Sequence, residues 1–315
     1  MTPSGPFPFA QHLSIRHPRW ARAFARPQDG GLEPLPRIAG YRVTRKVGEG
    51  RMAVAYLAQD MSRGGKVVLK VLRRGHMDSP ARTAAFVQEF AIPAAIRNAH
   101  VIRVVDQLVG AEHAFIAMEY LGGGHLGQLI RCGLTAAESM ALLRQAAVAL
   151  AELHRQGFAH CDVKPANLLL RYSGDLVLAD FGLARRLGSV SPTASAGLVA
   201  GTPCYASPEL AQGGVVQAAA DVYSLGVVLY EMLCGKPPFP GQTLMEVFCQ
   251  HLMAPVPSLP ADLVRFQPLV DLMLEKQVRR RLPDGQALLE QIDHMRDAGA
   301  LRSAPPAATE SRCQT

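Results

Sequence analysis

Eight consecutive residues, His160-Cys161-Asp162-Val163-Lys164-Pro165-Ala166-Asn167, place a carboxylate, an ammonium and a carboxamide on one short stretch. Asp162 is a candidate acceptor for the proton of an attacking hydroxyl. Lys164 can neutralise a transferring phosphoryl group, and Asn167 offers an oxygen to a metal ion. Asp180-Phe181-Gly182 follows and adds a second metal-binding carboxylate. Positioning plus charge neutralisation is what phosphoryl transfer requires, because the protein itself does little covalent chemistry.

Elements on either side must bring these groups together. Tyr41 to Val47 alternates loosely, breaks at Gly48-Glu49-Gly50 and resumes at Val54 to Ala58, which predicts a hairpin. Glycines in such a turn let backbone N–H groups approach phosphates closely. Val67-Val68-Leu69-Lys70 reads as a short strand ending in a cation. Glu89 lies in a helix-like stretch, Thr83 to Ala91. Pro93 follows one turn later and removes a backbone donor, so that helix is expected to be kinked or shortened. Two further strands are predicted at Val101 to Leu108 and His113 to Met118. The run Met118 to His125 ends in Gly122-Gly123-Gly124 and predicts a hinge.

Thr135-Ala136-Ala137-Glu138 is a capping box. The helix it opens, to about Gln156, is apolar on nearly every face and therefore belongs to a core. Gly157 ends it and delivers the chain to His160. Asp221 starts a second apolar helix, and further helices are expected near 243–252, 261–275 and 284–296.

The order of these motifs resembles the protein kinase family, and specifically its bacterial serine/threonine branch (Hanks-type). His160 to Asn167 is similar to the family's catalytic loop, H-R-D-x-x-x-x-N, with Cys161 in place of Arg. Gly48-Glu49-Gly50 resembles the nucleotide loop, with Ala53 at the third glycine. Gly201-Thr202-Pro203-Cys204-Tyr205-Ala206-Ser207-Pro208-Glu209 resembles the closing motif of the activation segment, with Ser207 for Ala.

The resemblance implies an α+β, two-lobed protein kinase-like fold. It has a small antiparallel-sheet N-lobe with one main helix and a larger, mostly helical C-lobe. It implies transfer of the γ-phosphate of ATP to protein Ser/Thr hydroxyls, with Mg2+ and with Mn2+ as an alternative. By resemblance Asp162 is the base, Lys164 steadies the γ-phosphoryl, and Lys70 grips the α- and β-phosphates while pairing with Glu89. Asn167 and Asp180 hold the metal. Backbone groups of the segment Met118 to His125, Glu119 among them, meet adenine; Gly48 and Gly50 meet the nucleotide from its loop, and Val47, Ala55, Val68, Met118, Leu121 and Leu169 line the adenine slot. The family's usual Val and Ala are exchanged at Ala55 and Val68, which conserves volume. His125 replaces the acidic residue that often touches ribose. Thr202 helps seat the acceptor, Glu209 pairs with Arg281, and Asp221 braces the catalytic loop. Cys161 cannot neutralise a phosphorylated activation segment, so weak dependence on its phosphorylation is expected.

Composition sets the outer limits. The 315 residues suffice for two lobes, and 49% hydrophobic with 19% charged residues describes a globular chain. The net charge of +7 favours acidic partners such as nucleotides without indicating nucleic-acid binding. Six scattered cysteines form no C-x-x-C pair, which favours reduced thiols in a cytoplasmic setting. No apolar run reaches membrane-span length, and no signal peptide opens the chain. The expected organisation is a flexible basic arm at 1–37, a kinase domain at 38–298 and a disordered tail at 299–315. Within the domain the N-lobe runs to about 118, the hinge over 119–125 and the C-lobe over 126–298. The arm has a second reading as a partner-docking segment. Two other functions compete with the kinase: a pseudokinase acting as a nucleotide-binding scaffold, and a small-molecule phosphotransferase.

Overall fold

The structure, a computed structural model, describes residues 35–50, 52–77, 79–110, 114–190 and 203–297. The expected arm, except its last residues, and the expected tail lie outside them. Five antiparallel strands form the first sheet: β1 (Tyr41–Glu49), β2 (Ala53–Asp60), β3 (Lys66–Leu72), β4 (Val104–Val109) and β5 (Ala114–Glu119), in the order β1-β2-β3-β5-β4. The predicted strand at Val101 begins later than expected. Val101 itself makes only an isolated bridge to Leu178, and β5 runs one residue into the expected hinge.

Strand alternation decides which face each side chain takes. Val67, Leu69, Val71, Phe115 and Ala117 form one apolar cluster with Ile38 and Ala58. On the opposite face Ala53, Leu72, Ala114 and Ile116 pack with Phe86. Phe86 belongs to α2 (Pro80–Ala95), which follows the single-turn helix α1 (Arg74–Met77). Lys70 shares the parity of Leu72, so it points to the α2 side.

Pro93 does not shorten that helix as expected. α2 continues through it to Ala95. The missing donor would have reached the Glu89 carbonyl, and Ile96 N–H closes the end on the Pro93 carbonyl at 3.2 Å. With only two helical residues beyond it, Pro93 costs one bond near the frayed end, and packing of Phe86 on the sheet holds the rest.

The second lobe contains α3 (Leu126–Cys132), α4 (Ala136–Arg155), α5 (Pro208–Ala211), α6 (Ala219–Cys234), α7 (Leu244–Met253), α8 (Gln267–Leu274) and α9 (Gly285–Asp297). The capping box at α4 forms: Thr135 N–H donates to Glu138 Oε2 at 2.7 Å and Glu138 N–H to Thr135 Oγ1 at 3.2 Å. α6 buries side chains all round, α4 buries one broad face, and both make one continuous core with α8 and α9. Gly285 allows α9 to start against α4, since a Cβ there would stand 2.4 Å from the Ala151 nitrogen. Short pairs β6 (Phe158–Ala159) with β9 (Arg185–Arg186), and β7 (Leu168–Leu170) with β8 (Leu176–Leu178), frame the candidate catalytic loop. Among the described residues no helix is long and apolar enough to cross a membrane.

Candidate active site

Asp162 stands between β6 and a 3-10 turn at Pro165–Asn167. Its Oδ2 accepts from Lys164 Nζ at 2.7 Å and from Asn167 Nδ2 at 2.9 Å. Asn167 Nδ2 also donates to the Asp162 carbonyl at 2.8 Å. The amide nitrogen is thus committed, and the Asn167 side-chain oxygen is the atom left to meet a cation.

A buried carboxylate holds this loop from below. Asp221 on α6 is 0% exposed. It accepts the backbone N–H of His160 at 2.6 Å and of Cys161 at 2.8 Å, and His154 Nε2 donates to it at 2.9 Å. Burial alone would raise the Asp221 pKa; these donors outweigh it and hold the group below the carboxylate range. His154 Nδ1 takes the N–H of Gly285 at 3.0 Å, so the first residue of α9 fixes the tautomer of a side chain that braces the loop.

His160 carries the geometry onward. Its Nδ1 accepts from Asp162 N–H at 3.3 Å, its Nε2 donates to the Ala179 carbonyl at 3.1 Å, and its ring meets Phe181 edge-on. Ala179 N–H donates to the Asn167 carbonyl at 2.9 Å. Asp180, the next residue, is therefore drawn beside Asn167. Among the described residues Cys161 (φ 61°) and Asp180 (φ 64°) are the non-glycine positions with positive φ. Both sit at the cleft, where backbone strain is held by surrounding bonds.

Lys70 reaches across from β3. Its Nζ bonds Asp180 Oδ1 at 2.9 Å and pairs with Glu89 of α2. Burial would lower the Lys70 pKa, but the two carboxylates outweigh it and raise it. Asp180 is shifted down: burial opposes, and the Lys70 ammonium wins. Burial, with Asp180 adding, pushes Glu89 up against the pull of Lys70.

The predicted adenine slot is apolar and half-open. Ala55 pairs with both Gly48 and Lys70 across the sheet, and Val68 pairs with Met118. Ala55, Val68, Met118, Leu121 and Leu169 are partly exposed, and Val47 is 36% exposed. Strand residues of this type left uncovered mark a cavity wall. Gly50 N–H bonds the Ala53 carbonyl at 2.8 Å and closes the hairpin. Glu119 Oε1 accepts from Arg103 N–H at 2.9 Å and from Arg171 at 2.8 Å, and Glu119 N–H donates to the Arg103 carbonyl at 2.9 Å. The His125 backbone bridges to Leu169, and the residue is the partly buried N-cap of α3.

Further out, Arg281 is fully enclosed and forks onto Glu209 at 2.7 and 3.1 Å. It also donates to the carbonyls of Ala219 and Glu275 at 3.0 and 2.8 Å. Ser207 is 0% exposed, and its hydroxyl has no hydrogen-bond partner among the described residues. Burial pushes the Cys161 thiol far up, which makes it unreactive. Thr202, Ser191, Thr193 and Ser195 lie outside the described residues.

Of the residues singled out in the sequence, the structure brings Asp162, Lys164 and Asn167 into one cluster and Lys70, Glu89 and Asp180 into a second, with Ala179 N–H bonded to the Asn167 carbonyl between them. Sequence reasoning assigned nothing to His160's two ring bonds, to His154 or to Gly285. Their partners are distant in sequence, so no local spacing marks them.

A small antiparallel sheet and a helical lobe, with this charge constellation between them, define a two-lobed fold. The chain matches the family described as protein kinase domain over residues 41–291 and belongs to it. It is 35% identical over 276 residues to the serine/threonine-protein kinase PknA of Corynebacterium glutamicum, covering 84% of this chain and 59% of that one. It is 35% identical over 288 residues to a serine/threonine-protein kinase of Corynebacterium efficiens, covering 88% of this chain and 54% of the relative. PrkC of Bacillus subtilis is 32% identical over 225 residues, 70% of this chain and 35% of PrkC. The chain thus spans little more than half the length of the two corynebacterial relatives, and about a third of PrkC.

Proposed function

We propose that this chain transfers the γ-phosphate of ATP to serine or threonine hydroxyls of proteins. One observation carries the reading: Asp162 is held on Asn167 and Lys164 while Asp180 is held on Lys70, so acid, amide and ammonium groups from three stretches face one cleft. The donor set fits a hard cation, because an amide oxygen and a carboxylate leave its remaining positions to phosphates and water. Asn167 and Asp180 would hold Mg2+, which supplies neutralisation of phosphate charge. Lys70, kept cationic by Glu89 and Asp180, holds the α- and β-phosphates. Asp162 orients the acceptor hydroxyl and takes its proton, and Lys164 stabilises charge on the γ-phosphoryl oxygens. The domain is assigned to 38–298, since Ile38 already packs in the sheet's core and α9 ends at Asp297.

Asp162→Asn tests this directly. Phosphate transfer from ATP to a protein acceptor should fall by about 10³-fold or more, with unfolding unchanged. Nucleotide-dependent thermal stabilisation with no transfer by the wild-type protein would instead establish a binding scaffold.

A further inference from the structure

His251 lies on α7, is 1% exposed, and belongs to none of the motifs above. Both its ring nitrogens are engaged. Nε2 is 3.1 Å from the Cys204 carbonyl oxygen and Nδ1 is 3.0 Å from the Tyr223 hydroxyl. A carbonyl only accepts, so Nε2 carries the proton and Nδ1 accepts from Tyr223. Tyr223 Oη in turn accepts from Lys276 Nζ at 3.1 Å. The chain Lys276, Tyr223, His251, Cys204 therefore runs in one donor direction with no conflict. Burial, with the Lys276 charge adding, lowers the His251 pKa to about 4, so the ring is neutral near pH 7. Phe239 closes the cluster, its ring 4.9 Å from His251 and 3.9 Å from Lys276 Nζ.

The far end of the chain is the informative one. Cys204 lies in the 3-10 turn Pro203–Tyr205, directly after Thr202 and before Glu209. The next residue is tied too: Tyr205 Oη donates to Glu231 Oε2 at 2.7 Å. Consecutive residues of this turn are thus held by different helices, α7 through His251 and α6 through Glu231. A surface turn held that firmly is a preorganised platform, and preorganisation lowers the cost of ordering a bound chain.

We propose that His251 is a positioning residue for the protein acceptor: by holding the Cys204 carbonyl it fixes the turn that seats the acceptor chain. The proposal rests on the kinase reading above. It predicts a split, because the nucleotide slot shares no bond with this network.

The test measures KM for dephosphorylated casein and, separately, KM for ATP in three variants. His251→Phe keeps a ring but has no donor; it should raise the casein KM about tenfold and leave the ATP KM within about twofold. His251→Gln places an amide N–H near the Nε2 position and should restore the casein KM to within about threefold of wild type. Tyr223→Phe removes one hydroxyl and keeps the ring. It should raise the casein KM about threefold, and it carries the test if His251→Phe does not fold. Equal changes in both KM values, or an unchanged casein KM in all folded variants, overturn the assignment of His251 alone. No transfer to casein by the wild-type protein overturns the kinase reading beneath it.

Discussion

The two sides of the cleft hold their charges by different means. On the helical side, Asp162 and Asn167 sit on a loop whose backbone is pinned by Asp221, and Asp221 is pinned by His154 and, through it, by Gly285. All but the part-buried Cys161 bond are buried, and each connects to a core helix. On the sheet side, Lys70 and Glu89 have mainly each other and Asp180, and Lys70 remains 24% exposed. α2 touches the sheet through a small cluster around Phe86, whereas α6 is enclosed on all sides. The difference teaches that the loop geometry is built into folding of the large lobe. The Lys70–Glu89 contact depends on where α2 lies.

The largest effect that could break this contrast is at Asp221. Asp221→Ala leaves buried N–H groups of His160 and Cys161 without a partner. It should cost about 3–5 kcal/mol of unfolding free energy, read by urea titration, and remove activity with it. The sign of the acid response follows from the depressed carboxylate. Its contribution is fully present above the unfolded carboxylate pKa and is lost as pH falls through the folded pKa. The variant should lack that part of the acid limb.

Glu89→Gln should act differently. Lys70 keeps Asp180 as a partner, so stability should change by less than about 1 kcal/mol. The loosened lysine should lower kcat/KM by about 10²-fold. A loss of stability equal to that of Asp221→Ala would erase the contrast between the two sides.

Two smaller effects sharpen it. Alanine at Ser189, Ser191, Thr193 and Ser195 together should reduce activity less than about tenfold, because Cys161 offers a phosphate no charge. A loss of two orders of magnitude would show that another cation serves the segment. Ser207→Ala removes a buried hydroxyl that has no partner among the described residues. It should raise stability by about 1 kcal/mol, seen as a higher Tm.

Much of the fold was legible because its signals are short-range. The Thr135–Glu138 box and the apolar faces after it announce α4, and strand alternation around Lys70 announces its inward direction. The expected shortening at Pro93 did not occur, because a local rule about a lost donor was set against packing that the local sequence does not contain. The predicted strand start at Val101 missed for a related reason: an apolar run marks burial, and here the burial is against Leu178 rather than in the sheet.

By itself the sequence determined which chemistry-bearing groups share one loop. Asp162, Lys164 and Asn167 lie so close along the chain that one turn must present them together, and Asp180 follows one short hairpin later. Only the tertiary structure decided what holds them there. Asp221 meets His154 from 67 residues away, and His154 meets Gly285 from 131 away. A buried hydrogen bond is strong because both partners are desolvated, and desolvation belongs to the packed core, not to any stretch of residues.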